Sequence, residues 1–170
     1  MTSGNRSGDR VVDNDDRAFN ELGEVADYFL VHNREIYAPL DDSVVMVINN
    51  KPRFIRRSRG YVPEPIHCES IAATPILAMG SDLKNAFALN KGNEILIGPH
   101  IGDLENASTH ETLEWTINRY ENLFSIEPEK IIIDSHPQFF SSHLGEHIGA
   151  SSQIPVVTIQ HHHAHIASVM

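Results

Sequence analysis

With 170 residues and 41% hydrophobic content, the chain has material for one ordinary domain or two small ones built on an apolar core. Its formal charge of −10 argues against a protein that binds nucleic acid through a general basic face, and its single cysteine, Cys68, rules out an internal disulfide and a thiolate zinc cluster. No apolar run of membrane-spanning length and no signal peptide is found, so the expectation is a cytoplasmic protein with neither a membrane nor a nucleic-acid partner.

The opening MTSGNRSGDR is polar, glycine-rich and patternless, the composition of a frayed terminus. Beyond it Phe19, Leu22, Val25, Ala26, Phe29 and Leu30 recur at helical spacing, which predicts an amphipathic helix over about 16–32, capped by Asp15 or Asp16. SVVMVI (43–48), a turn at 49–52 and RFIRR (53–57) predict a β-hairpin. Prolines 63, 65 and 75 punctuate a stretch without periodicity, which predicts a linker at about 61–74.

Three short strands follow at 76–80, 85–90 and 94–98, an antiparallel meander whose last two members are joined through Lys91-Gly92-Asn93. Ser108 and Glu111 form a capping box ahead of a helix of about four turns, with Leu113, Ile117, Tyr120 and Phe124 on one stripe. KIIID (130–134) and PVVTIQ (155–160) read as buried strands around a short helix at 138–149, and another helix starts after Gln160. The order βββαβαβ and then a helix is the pattern of the ribonuclease-H-like sheet of actin-type ATPases, although order alone does not separate it from other α/β sheets.

The chemistry-bearing residues concentrate in four places. In QHHHAHIASVM, a helix starting after Gln160 sets His161 and His165 at i and i+4, their imidazoles one turn apart and aimed the same way. Such a pair suits zinc or iron as two of at least three ligands, and its place at the end of a buried strand is where open α/β sheets hold ligands. The competing reading is a group of histidines that binds no metal. RFIRRSRG carries four arginines whose guanidinium forks match phosphate and carboxylate oxygens, or form a charged strand edge that resists aggregation. GSDLKN sets Asp82 and Lys84 in a turn between strands, where a lysine and backbone amides can face phosphate and the aspartate a metal, or where nothing more than a turn is needed. IIIDSHP places Asp134 and His136 at the end of a buried strand.

Taken in order, TSGN, DYFLVHNREI, DDSVV, RFIRRSRGYVPEPI, GSDLKNAFAL, HIGDL, DSHP and QHHHAHIASVM resemble the hydrogenase-maturation carbamoyltransferase family, HypF. The likeness covers nearly the whole chain, and RRSRGYVP and QHHHAH are its most specific parts. It implies an α/β chain in two pieces: 1–60 as the C-terminal part of a YrdC-like α/β domain, 61–74 as linker, and 75–170 as the first part of a ribonuclease-H-like carbamoyltransferase domain. The implied activity uses carbamoyl phosphate and ATP, with magnesium, to form carbamoyl adenylate. The carbamoyl group then passes to the C-terminal cysteine of a HypE-like acceptor, on the route to the cyanide ligands of nickel-iron hydrogenase.

By the same resemblance Ser3, Asn5, His32, Arg34, Ser43, Arg57 and Arg59 are expected to contact the adenylate. Asp82, Lys84, Asp134 and His136 are expected on nucleotide-facing loops of the second domain, with His161 and His165 as the metal pair and no catalytic residue assigned. The family's upstream acylphosphatase-like and paired C-x-x-C regions are missing, only the last third or so of the YrdC-like domain remains, and the second domain stops just past its first metal ligands. The chain alone is therefore expected to be poorly stable and inactive. Two other readings differ in class: a non-catalytic metal- or nucleotide-binding module, and a transferase of the tRNA threonylcarbamoylation type, which fits RRSRGYVP and the fused order less well.

Overall fold

The computed structural model describes residues 4–5, 11–38, 40–71 and 74–170. The chain divides into two compact units, Met1–Leu40 and Asp41–Met170.

In the first unit the helix is shorter than its apolar spacing predicts. α1 spans Asp15–Leu22, and its N-cap is Asn14, whose side chain accepts from the Arg17 amide, so neither Asp15 nor Asp16 is the cap. Val25 and Leu30, which extend the predicted stripe, are 83% and 103% exposed. A short helix draws its stability from packing of its apolar face, and these residues have none to gain.

The second unit opens with the predicted hairpin, β1 (Val44–Ile48) against β2 (Lys51–Arg56). Its turn is tighter than the four residues expected: Asn49 and Asn50, with φ of 51° and 58°, make the two-residue primed turn that matches strand twist. Pro52 accordingly pairs with Val47 inside the strand. The register slips between Val44 and Val45, so Ile55 is an extra residue and strict alternation of the arginines breaks there.

A six-stranded sheet follows, in the order β3-β6-β5-β4-β7-β8. Its outermost strand, β3 (Ile66–His67), lies within the stretch expected as a linker and pairs antiparallel with β6. The meander is as expected: β4 (Ile76–Ala78), β5 (Ala88–Lys91) and β6 (Glu94–Ile97) are antiparallel neighbours. β7 (Lys130–Asp134) then joins β4 in parallel and β8 (Val156–Ile159) joins β7 in parallel. The helices are α2 (Ala107–Phe124), α3 (Phe140–Ser152) and α4 (His161–Ala167). α2 starts on Asn106 without a side-chain cap bond, so the Ser108–Glu111 capping box does not form; the Thr109 hydroxyl donates to the Asn106 carbonyl instead.

The core lies on one sheet face. Leu77, Met79, Phe87, Leu89, Leu96, Ile131 and Ile133 meet Leu113, Ile117 and Tyr120 of α2 and Leu144 of α3. α3 approaches closely at Gly145, where a Cβ would lie 2.5 Å from the Ile133 side chain and 2.9 Å from that of Met79. In β7, Ile131 and Ile133 are buried on this face, while Asp134 alternates to the other side with Ile132. The strand thus ends by presenting a carboxylate on the face opposite α2 and α3.

Glu121, on α2, is held above the usual carboxylate range by burial. A carboxyl with a raised folded-state pKa contributes stability that is present below its unfolded value and lost as pH rises through its folded one. Glu121→Gln is therefore expected to make the protein more stable than the parent at neutral pH and equal to it at about pH 4, where an ordinary carboxyl protonates. Urea midpoints at the two pH values check this, and a variant destabilised at neutral pH would refute it.

Candidate functional site

The second unit gathers polar side chains at the C-terminal ends of β7 and β8 and in the loops beside them. The β7–β8 register sets Asp134 opposite Ile159, and the Ser135 amide donates to the Ile159 carbonyl. Two residues beyond Ile159, α4 begins. Its N-cap is Gln160, whose side-chain oxygen accepts from the amides of His162 and His163 and whose nitrogen lies 2.7 Å from His162 Nδ1. Gln160 is a contributor that sequence reading missed, since glutamine is not a favoured N-cap residue.

Within α4 the predicted i, i+4 pair is realised. His161 Nε2 and His165 Nε2 stand 3.0 Å apart. Two nitrogens bound to one tetrahedral zinc are separated by about 3.3–3.4 Å, so the two rings need open by only a few tenths of an ångström to share an ion. The observed spacing is also that of an N–H···N hydrogen bond. On the far side of the His161 ring, Nδ1 is 2.7 Å from Asp134 Oδ2. The other carboxylate oxygen of Asp134 accepts from the His136 amide at 2.9 Å. Among the described residues no His, Cys, Asp or Glu completes a group of three that could hold a metal ion. An open cleft of 340 Å³ lies on the α3 side of the end of β7, bounded by Asp134, Ser135 and His136, by His143 and Glu146 of α3, and by Thr158 of β8, and neither His161 nor His165 lines it.

The loop between β4 and β5 is rigidly held. Gly80 has φ of 73°, and a Cβ there would lie 2.5 Å from the Ala86 carbonyl oxygen, so glycine is required. Asp82 accepts from the first amides of α3, Phe140 N at 2.7 Å and Ser141 N at 2.9 Å. Buried Asn85 donates to the carbonyls of Met79 and Ser81, and Asp103 accepts from the Lys84 amide. The Lys84 side chain is exposed, as is that of His136.

The residues expected at the adenylate divide between the two units. Ser3 lies outside the described residues; Asn5, His32 and Arg34 belong to the first unit, where His32 Nδ1 accepts from the Arg34 amide. In the second unit the Ser43 hydroxyl donates to the Arg59 carbonyl and accepts from the Ser58 amide, tying the start of the hairpin to its end. Arg57 donates through Nη2 to the Glu64 carbonyl, and its Nη1 is buried without a hydrogen-bond acceptor. Burial pushes the Tyr120 hydroxyl above the usual tyrosine range, and the charge of Arg57 partly opposes that shift. Arg59 lies 3.6 Å from Asp42 and is mostly exposed. Asp41 joins the hairpin to the sheet domain through His100 Nδ1 at 2.9 Å, a contact with no local sequence pattern.

Comparison with known proteins matches two stretches of the chain, divided between residues 58 and 72 and so not at the boundary of the two compact units. The family described as HypF Kae1-like domain matches residues 72–170, and the Sua5/YciO/YrdC family, described as Telomere recombination, matches residues 1–58. Carbamoyltransferase HypF of Synechocystis sp. is 42% identical over 99% of this chain and 22% of its own length. Carbamoyltransferase HypF2 of Cupriavidus necator is 40% identical over the whole chain and 21% of its own length. The crystal structure of full-length HypF in the phosphate- and nucleotide-bound form superposes on 99% of this chain with a TM-score of 0.89 and 39% identity, and 26% of that structure is covered. The chain thus spans about a fifth to a quarter of the length of these relatives. No described helix is long and apolar enough to cross a membrane. On the strength of these matches, the chain belongs to the HypF carbamoyltransferase family.

Proposed function

We propose that this chain is the junction of a hydrogenase-maturation carbamoyltransferase, carrying the end of its adenylate-forming YrdC-like domain and the start of its Kae1-like transfer domain. The substrates on this reading are carbamoyl phosphate and ATP with magnesium, the acceptor is the C-terminal cysteine of a HypE-like protein, and the setting is cytoplasmic. The observation that carries it is the pair of Nε2 atoms 3.0 Å apart at the sheet edge, within a chain whose relatives are carbamoyltransferases over its whole length.

His161 and His165 would supply two ligands to a divalent ion, zinc or iron. Bound there, such an ion supplies Lewis-acid polarisation of a carbamoyl or phosphate oxygen. The chain's own residues bind and orient: exposed Lys84 and His136 are available to phosphate oxygens, and the rigid β4–β5 loop fixes where Lys84 starts. Near the hairpin, exposed Arg59 is the cationic donor for an adenylate, and the guanidinium of Arg57 adds positive charge beside it.

Calorimetric titration of the 170-residue chain with zinc and with ferrous iron tests the metal pair. One ion per chain is expected, with binding lost when His161 and His165 are both replaced by alanine, since the substitution removes both nitrogen ligands. Equal affinity in the doubly substituted chain would refute the assignment.

A further inference from the structure

We propose that Asp134 is a positioning residue for His161, fixing the imidazole proton on Nδ1 so that the Nε2 lone pair faces His165. This rests on the metal reading of the histidine pair for its consequence, but not for its geometry.

The Asp134 side chain is only 10% exposed, and both of its oxygens are engaged. Oδ1 accepts from the His136 amide at 2.9 Å, and Oδ2 meets His161 Nδ1 at 2.7 Å. An ionised carboxylate accepts hydrogen bonds and donates none, so a contact this short places the hydrogen on Nδ1. A neutral imidazole with its hydrogen on Nδ1 carries its lone pair on Nε2. That atom is the one 3.0 Å from His165 Nε2. Without the carboxylate, the hydrogen is free to sit on Nε2, where it would block an ion shared by the pair.

Direct ligation by Asp134 is excluded by the same geometry. Its carboxylate is on the Nδ1 side of the ring, and the facing Nε2 atoms are on the other. The backbone holds this arrangement from two directions. The β7–β8 ladder sets Asp134 opposite Ile159, and the Gln160 cap sets the first turn of α4, on which His161 stands. The His136 amide orients the carboxylate, so the loop after β7 is part of the support. Asp134 thereby differs from exposed Lys84 and His136: both of its carboxylate oxygens are engaged by the protein.

Asp134→Asn is the discriminating substitution, because it keeps the shape while turning one oxygen into a donor. With its oxygen kept on the His136 amide, the asparagine presents N–H to His161 Nδ1 and drives the imidazole proton to Nε2. Long-range nitrogen–proton NMR of the 170-residue chain at about pH 8, above the ordinary imidazole range, reads the tautomer directly. His161→Gln assigns the signals by their loss. The expected result is an Nδ1-protonated His161 in the parent and an Nε2-protonated one in Asp134→Asn, with zinc affinity weakened about 10- to 100-fold. An Nε2-protonated His161 in the parent overturns the proposal even if the variant does not fold. So does a variant with unchanged tautomer and zinc affinity within twofold of the parent. A parent chain that has the expected tautomer but binds no zinc supports the positioning of His161 and refutes the metal reading instead.

Discussion

Replacing Phe87 by alanine is expected to remove about 3–5 kcal/mol of stability, the range for deleting a buried aromatic ring. The ring has no exposure and meets Tyr120 of α2 edge-on, with centroids 5.2 Å apart. It also fills the space in front of Gly98, where a Cβ would lie 2.5 Å from a ring carbon. Aromatic edge contacts add about 0.5–1.5 kcal/mol beyond area burial, so both the cavity and the lost contact contribute. Urea unfolding should show a lower midpoint with an unchanged slope. A loss below about 1 kcal/mol would mean that the site collapses around the deletion and that Phe87 is not central to the core.

Asp82→Ala is expected to cost about 2–3 kcal/mol, through two charge-assisted bonds and the favourable position of a carboxylate at a helix N-terminus. The bonds to Phe140 and Ser141 also tie the β4–β5 loop to the start of α3, the helix that borders the cleft at Asp134. Amide exchange at Phe140 and Ser141 should therefore accelerate in the variant. Asp82→Asn, which keeps one acceptor oxygen, should fall between variant and parent. Near-parental stability for Asp82→Ala, with no faster exchange at those amides, would show that the cap is dispensable.

Elements whose own sequence carries their burial pattern were legible. β7 alternates buried Ile131 and Ile133 with half-buried neighbours, and α2 keeps Leu113, Ile117 and Tyr120 on its inner face. The histidine pair was legible for the same reason, since a four-residue spacing acts within a single helix. What failed depended on surfaces or partners elsewhere. The α1 stripe is read without a surface to cover it: the helix stops at Leu22, and of the later stripe residues Val25 and Leu30 stay exposed while Phe29 packs on Phe19. β3 has only two residues, too few to show alternation, and exists because β6 offers an edge. The capping box at Ser108 has the right letters two residues too late, because α2 already starts at Ala107.

Site residues divide in the same way. Asp82 and its amide partners lie 58 and 59 positions apart, Asp134 and His161 27 apart, and Asp41 and His100 59 apart. Sequence reading marked Asp82 and Asp134 as polar groups at a sheet edge. Which atoms they face is decided by strand register and by the angle at which α3 arrives, quantities that no short motif encodes.

The parallel pairing of β4 with β7 also bears on how the protein reaches this structure. Ile76 and Lys130 are register partners 54 positions apart, whereas β5 and β6 meet across a two-residue turn. Loop-closure entropy grows only as the logarithm of loop length, about 0.6 kcal/mol per doubling, so the long excursion through α2 takes little from the final stability. Its weight falls on folding rate, which declines as contacts become less local. The meander can assemble from neighbouring segments, but β7, the strand that ends in Asp134, joins it only through that closure.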